Sequence, residues 1–116
     1  MVDIAPPNEL PFLSQVRTKD RRILYNLVRK HKPERVIEYG TRYGACTYVI
    51  LSALLKNKTP FEFYPFEKDI DSRESTIRNI EDKLGKKIRV YGAVEKNFFV
   101  IPDWLDFGFI DHSHDA

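Results

Sequence analysis

The sequence predicts an α/β domain, a parallel β-sheet with helices on both faces, and two observations lead to this fold class. Along the chain, short apolar runs of strand length alternate with longer runs that carry apolar residues at helical spacing. The stretch 34–47 also joins a short apolar run to a turn with two glycines, Gly40 and Gly44, and then to apolar sequence up to Leu55. A strand, a glycine turn and a long helix in this order form the start of a βαβ unit, whose ligand lies at the turn.

Composition narrows the class of protein. The chain has 116 residues, of which 42% are hydrophobic, and we predict a single domain over residues 1–116. A net charge of +2 gives no reason to expect a nucleic-acid partner. No apolar run approaches the roughly 18 residues of a membrane span, and no signal peptide is visible at the N-terminus. A single cysteine, Cys46, fits a reducing compartment, so we expect a cytoplasmic protein without a membrane partner.

The N-terminal part predicts an arm followed by a helix. Residues 1–17 contain three prolines, and we predict an extended arm there. Thr18 is a candidate N-cap for a helix that continues to about His31 and is stopped by Pro33. The predicted apolar stripe of this helix consists of Ile23, Leu24, Leu27 and Val28.

The remaining chain alternates strands and helices. The first strand is predicted at 35–39, and a helix that is apolar on nearly every side follows from about Gly44 to Lys56. The second strand is predicted at 61–66, where Pro65 favours a strand end. The next helix is predicted to begin at a capping box that starts at Asp71, and Gly85 is its C-terminal signal. Its apolar positions are Ile70, Ile77, Ile80 and Leu84. Strands at 88–91 and 105–111, with a short helix between them, complete a sheet of predicted order 3-2-1-4.

Three kinds of ligand are bound by glycine turns of this type. A P-loop requires a Gly-Lys pair followed by Ser or Thr, and the sequence contains none. A dinucleotide turn requires a glycine where Arg42 stands, and Glu38 just before the turn would repel a pyrophosphate. The same acid would attract the ammonium and sulfonium groups of S-adenosylmethionine. Glu67, at the end of the second strand, suits the hydroxyls of a ribose.

These motifs resemble those of class I S-adenosylmethionine-dependent methyltransferases, in particular the small-molecule O-methyltransferase-like branch with its Rossmann-like sheet. Residues 36–47, Val-Ile-Glu-Tyr-Gly-Thr-Arg-Tyr-Gly-Ala-Cys-Thr, are similar to the first motif of that family, although Arg42 replaces its usual middle glycine. Residues 66–69 resemble the acidic second motif. Gly92-Ala93 lies where the family contacts adenine, and residues 106–114 resemble the fourth motif, an apolar strand that ends in Asp and is followed by His.

The resemblance implies a set of site residues. The cofactor-binding residues would be Glu38, Gly40, Thr41, Gly44, Glu67 and Ala93. Asp111 and His114 would be catalytic, with a general-base role. No metal ligand is assigned, because magnesium prefers carboxylates and water over imidazole. A full family domain continues for three more strands, so the resemblance implies either a relative shortened at its C-terminus or a fragment of a longer domain.

The leading hypothesis is therefore a methyltransferase that acts on an oxygen or nitrogen of an acceptor, a small molecule or an unknown group. An alternative is a non-catalytic, truncated module that works through protein–protein association. An NAD-binding protein is disfavoured by Glu38 for the charge reason given above. The fourth strand would be an uncovered apolar edge, and we expect a homodimer formed through it or an N-terminal arm packed over it.

Overall fold

A computed structural model describes residues 18–92 and 107–110 of the chain, with side chains described for 19–92. Its elements are α1 (Thr18–His31), β1 (Arg35–Tyr39), α2 (Ala45–Asn57), β2 (Glu62–Phe66), α3 (Ile70–Leu84) and β3 (Phe107–Ile110). The three strands form a parallel sheet in the order β2-β1-β3. The predicted arm over residues 1–17 and the short helix between 93 and 104 lie outside the described residues. The predicted bounds of α1 and β1 agree with the structure, and those of α2 and β2 differ by one residue at the ends.

Strand β1 is the centre of the sheet because it has a partner on each side. Val36 pairs with Phe63 of β2 and with Phe107 of β3, and Tyr39 pairs with Phe66 and Ile110. Four of its five residues are buried, as expected for a strand covered on both faces. Its carboxyl end leads directly into the glycine turn.

The three described helices contribute to one apolar cluster on a single face of the sheet. Val36 of β1 belongs to this cluster together with residues of α1, α2 and α3. Ile37 and Tyr39 are also buried but lie on the opposite face, where the Tyr39 ring packs 5.4 Å from that of Phe66. The α/β class with a parallel sheet is thus confirmed, whereas helices on the second face stay a prediction.

Helix α2 is buried along most of its length, as its apolar composition predicted. It contacts both α1 and α3, and all of its first ten residues are buried. Asn57 at its end joins it to α1, because its Nδ2 donates to the Val28 carbonyl and its Oδ1 accepts from Arg29 Nη1. No helix within residues 18–92 is both long and apolar enough to cross a membrane.

The predicted apolar stripe of α1 is wrong for two of its four residues. Leu24 and Val28 are buried against α2, but Ile23 and Leu27 are 49% and 41% exposed. Arg21 is buried in their place. The buried positions follow the spacing i, i+3, i+7, so α1 contacts the domain through a narrow face.

The predicted third strand is reduced to a single bridge, and Pro65 explains why. Tyr91 forms a parallel bridge to Phe66, in which its N–H donates to the Pro65 carbonyl and its own carbonyl accepts from Glu67 N–H. Extending this ladder by one step would need the N–H of residue 65 to donate to the Arg89 carbonyl. Proline has no N–H, so pairing stops there. Pro65 lies one residue before the end of β2, as predicted for a proline that favours a strand end, and it also ends the pairing of the neighbouring segment.

The N-cap of helix α3 lies two residues before the predicted one. Its N-cap is Asp69, whose carboxylate accepts from Ser72 N–H at 2.9 Å, and not Asp71. Ile70, expected on the apolar face, is 59% exposed, because the buried face consists of Thr76, Ile80 and Leu84. The predicted C-terminal signal is confirmed: Gly85 is left-handed and its N–H donates to the Glu81 carbonyl.

Candidate ligand site at the carboxyl edge of the sheet

The glycine turn between β1 and α2 alternates into the left-handed region of backbone space. Gly40 has φ 88°, Arg42 has φ 53° and Gly44 has φ 100°. Gly40 N–H donates to the Phe66 carbonyl at 2.8 Å, which ties the start of the turn to β2. Gly44 N–H donates to the Thr41 carbonyl at 2.9 Å, and the Gly44 carbonyl accepts from Tyr48 N–H in the first turn of α2. The turn therefore has one defined shape, and glycine is required where its φ values are largest.

Arg42 adopts a conformation that costs an ordinary L-residue energy, and hydrogen bonds hold it there. Its backbone N–H donates to Glu67 Oε1 at 2.8 Å, and its carbonyl accepts from Thr76 Oγ1 at 2.8 Å. The Arg42 side chain is exposed. The residue that replaces the usual middle glycine thus keeps the backbone conformation of glycine while its guanidinium lies outside the turn.

Glu67, at the end of β2, connects the two loops of the carboxyl edge. Its Oε1 accepts from Arg42 N–H, and its Oε2 accepts from Asp69 N–H at 3.1 Å. The residue is 4% exposed, so its charge is largely removed from water. Each carboxylate oxygen can accept two hydrogen bonds, which leaves capacity on both for further donors such as a diol.

Glu38, at the carboxyl end of β1, has a buried carboxylate on the helix side of the sheet. It has no exposed surface, and its Oε1 accepts from Thr47 Oγ1 at 2.6 Å. Thr47 is the third residue of α2, a helix whose first turn contains no acid of its own and whose N-cap is Gly44. The negative charge therefore lies beside the positive end of the helix dipole and directly behind the glycine turn.

Helix α3 holds the turn from the side, which the sequence did not indicate. Thr76 is fully buried, and besides its bond to Arg42 its hydroxyl oxygen lies 2.9 Å from Thr41 Oγ1. Asn79, one turn further along α3, donates from Nδ2 to the Tyr43 carbonyl at 2.7 Å. A Cβ added at Gly44 would lie 3.2 Å from Thr76 Cγ2, so the helix and the turn are in close contact. Nothing in the local pattern marks a threonine 34 positions away as a partner of Arg42.

Arg73 closes the other side of the edge, near the segment expected to contact adenine. Its Nη1 donates to the Glu67 carbonyl at 2.8 Å and to the Lys68 carbonyl at 3.2 Å. The same atom lies 3.0 Å from where a Cβ of Gly92 would be, so a side chain at position 92 would displace the guanidinium. Gly92 therefore permits the Arg73 contact with the end of β2.

Of the predicted cofactor-binding residues, five come together in this region: Glu38, Gly40, Thr41, Gly44 and Glu67. The sixth, Ala93, lies outside the described residues, as do the predicted catalytic residues Asp111 and His114. Among the described residues, no three His, Cys, Asp or Glu side chains are grouped as metal ligands would be. The described part of the site thus consists of one glycine turn, two buried carboxylates and the side of α3.

Comparison with known proteins places the fold among solved structures. No family model matches the sequence, and no curated protein matches it. The methyltransferase PaMTH1 of Podospora anserina, solved with S-adenosylhomocysteine (SAH), superposes with a TM-score of 0.68 at 16% identity, over 89% of this chain and 44% of that one. An O-methyltransferase of Bacillus cereus in complex with SAH superposes with a TM-score of 0.67 at 20% identity, over 83% of this chain and 45% of that one. The O-methyltransferase TomG of Streptomyces achromogenes, in complex with S-adenosylmethionine (SAM), superposes with a TM-score of 0.67 at 19% identity, over 89% of this chain and 47% of that one.

These likenesses show that the chain has the α/β fold of these structures, with a parallel sheet and flanking helices. The chain spans a little under half the length of each of these structures.

Proposed function

We propose that this chain binds S-adenosylmethionine at the carboxyl edge of its sheet and acts in methyl transfer to an oxygen or nitrogen nucleophile of an acceptor. The observation that carries the proposal is the pair of buried carboxylates, Glu38 and Glu67, on either side of a left-handed glycine turn. Structures with the same fold were solved with SAM or SAH.

The described residues fit such a cofactor. Its ammonium and sulfonium groups are positively charged, and Glu38 lies behind the turn, buried from water. Its ribose presents two hydroxyls, and the Glu67 oxygens have lone pairs left for them. Gly40 would let the backbone approach the ligand without a Cβ, whereas the Cβ missing at Gly44 leaves room for Thr76 behind the turn.

When bound, S-adenosylmethionine supplies an electrophilic methyl group, so the chain has to position the two reactants and exclude water. Glu67 would fix the ribose and thereby the location of the sulfonium. Glu38 would favour the cationic end of the ligand by its field. Asp111 or His114 would take the proton from the acceptor, which stays a proposal because both residues lie outside the described part of the chain.

The complete sheet is also part of the proposal. We propose the strand order 3-2-1-4, supported by the described order β2-β1-β3 and by the Tyr91 bridge on the outer side of β2. A single domain over 1–116 and a cytoplasmic location belong to the same proposal, the latter supported by the single cysteine, Cys46, which is buried.

A second candidate function, a non-catalytic module that acts through protein–protein association, is favoured by one observation. Both oxygens of Glu67 already accept backbone N–H groups of the surrounding loops, so this acid has a structural use that needs no ligand. A methyltransferase-like fold that has lost its cofactor would keep this arrangement.

Calorimetric titration of the 116-residue chain with SAM and SAH separates the two candidates. Methyl transfer requires binding of both, and Glu67→Ala should then weaken it by about 1.5 to 3 kcal/mol, the usual scale for hydrogen bonds to a charged group. Glu74→Ala is the matched control, because Glu74 is an exposed acid on α3 away from the turn. Absence of binding by the wild-type chain, or equal affinity of wild type and Glu67→Ala, contradicts the proposal.

A further inference from the structure

We propose that Thr76 is a positioning residue of the ligand site, which acts through the glycine turn and makes an arginine acceptable where the turn would otherwise need a glycine. The inference deepens the proposed function and rests on it for the identity of the ligand. Thr76 lies on α3, outside the motifs at the strand ends. Its role follows from its two hydrogen bonds and from its burial.

The hydroxyl of Thr76 takes part in two hydrogen bonds, one as donor and one as acceptor. The Thr76 hydroxyl donates to the Arg42 carbonyl, and a hydroxyl has one hydrogen to donate. In the 2.9 Å contact between Thr76 Oγ1 and Thr41 Oγ1, the Thr41 hydroxyl is therefore the donor. The two threonines form a short chain, from Thr41 through Thr76 to the carbonyl of Arg42. The Thr41 hydroxyl uses its single hydrogen in this chain, so this hydroxyl can only accept hydrogen bonds from a ligand.

The backbone of Arg42 is left-handed and is held by hydrogen bonds. Its φ of 53° is a conformation that glycine adopts freely and that costs other residues energy. The backbone N–H of Arg42 donates to Glu67 and its carbonyl accepts from Thr76, so both of its backbone polar groups are hydrogen-bonded to side chains. Because Thr76 is fully buried, we expect no water to enter the place of its hydroxyl when that hydroxyl is removed. The carbonyl would then be left without its donor, and the left-handed conformation would lose one of its two supports.

The turn would lie next to one end of the proposed ligand. In the proposed function the ribose lies at Glu67 and the amino-acid end lies over the turn, in front of Glu38. Glu67 also keeps its hydrogen bond from Asp69 N–H, which does not involve the turn. A disturbed turn should therefore reduce binding of ligands that have the amino-acid end more than binding of ligands without it. A simple loss of folding would reduce both. This difference distinguishes a positioning role from a structural one.

The test uses the full 116-residue chain and two ligands, SAH and 5′-methylthioadenosine, which lacks the amino-acid end. Thr76→Val removes the hydroxyl and keeps the shape, and it should weaken SAH binding about tenfold, as expected for one neutral hydrogen bond, and 5′-methylthioadenosine binding less than about twofold. Thr76→Ser keeps the hydroxyl and should bind both ligands as the wild type does. Arg42→Gly alone should bind SAH with similar or slightly lower affinity. Added to Thr76→Val, it should restore most of the lost affinity, because glycine needs no support in this conformation.

A measurement without ligand judges the turn itself. Gly44 N–H closes the turn by donating to Thr41, so its hydrogen exchange should become about tenfold faster in Thr76→Val and return toward the wild-type rate in the double variant. Equal losses for the two ligands, or no recovery with Arg42→Gly, overturns the positioning role. If the wild type binds neither ligand, the proposed function fails, and the exchange rates still decide whether Thr76 supports Arg42.

Discussion

At the scale of single residues, the most unusual group in the described part of the chain is the carboxylate of Glu38. It is removed from water and lies on the helix side of the sheet, where Thr47 donates a short hydrogen bond to it. A buried carboxylate is retained when a neighbouring positive charge or dipole stabilises it. The N-terminus of α2 supplies part of that stabilisation, and the proposed ligand would supply more.

We expect Glu38→Gln to weaken SAM binding more than SAH binding. Glutamine has almost the same shape and can still accept from Thr47, so the main change is the loss of one negative charge. SAM has a positive sulfonium that SAH lacks, and a charge near it in a poorly solvated site acts strongly. The loss for SAM should be about tenfold, or about 1.4 kcal/mol, measured by calorimetry.

The matched control is Glu74→Gln, which removes the same charge from an exposed position on α3 and should change neither affinity. Equal losses for SAM and SAH in Glu38→Gln would mean that the shape of the site, and not the charge of Glu38, matters for binding.

At the scale of elements, α3 joins the two halves of the site, and its N-terminus is fixed by Asp69. The hydrogen bond from Ser72 N–H, that from the Ser72 side chain and the positive charge of Arg73 together lower the pKa of Asp69 below its ordinary value of 3.8. Asp69 is exposed, so solvent and salt weaken these effects. The cap nevertheless starts the helix that supplies both Thr76 and Asn79 to the turn.

The lowered pKa predicts a loss of stability in acid. Because the folded protein favours the ionised carboxyl, Asp69 contributes stability above its unfolded pKa, and this contribution disappears as the pH falls through the lower, folded pKa. Asp69→Asn keeps an N-cap oxygen and does not titrate. Urea unfolding at a series of pH values from 6 to 3 should therefore show a difference in stability between wild type and Asp69→Asn that shrinks in this window. A difference that stays constant with pH would mean that the carboxylate charge contributes nothing to the cap.

The elements that the sequence predicted well are those whose signal is local. The apolar run of β1, the continuous apolar length of α2 and the left-handed Gly85 at the end of α3 each depend on neighbouring residues only. The proximity of Glu38 and Glu67 was also predictable, because parallel strands bring their carboxyl ends to one edge.

The features that escaped prediction depend on distant partners. Ile23 has the spacing of a core residue, but only the position of α2 decides which side of α1 is covered. Thr76 is an ordinary helix residue until the turn lies against it. The position of Pro65 near the end of β2 was predicted, but its effect on the neighbouring segment, which would need its missing N–H, was not.

At the scale of the whole molecule, the described site belongs to one continuous part of the chain. Its side chains and backbone groups come from β1, the glycine turn, α2, β2 and the loop and helix that follow, all within residues 38–92. The third strand of the sheet, β3, supports β1 from the other side. The described ligand site can therefore be tested by binding measurements that do not depend on Asp111 or His114.

Strand β3 also leads to the last prediction, which concerns association. It pairs with β1 along one side, and among the described residues no strand pairs with its other side. An unpaired strand edge has free N–H and C=O groups that can pair with another chain. We propose a homodimer through β3, because two copies related by a two-fold axis would satisfy both edges at once. Light scattering across a range of concentrations should then show a dimer for the wild type.

Two lysine substitutions locate the interface. Phe109→Lys, in β3 opposite Glu38 in the pairing register, should shift the protein toward the monomer by placing a charge at the strand edge. Ile23→Lys is the control, because Ile23 is an exposed apolar residue on α1, away from β3 in the sequence. It tests whether the copies associate through α1 and not through β3. Circular dichroism of both variants separates dissociation from unfolding. Dissociation by Ile23→Lys alone would move the interface to α1, and a wild type that is monomeric at every concentration would refute the dimer.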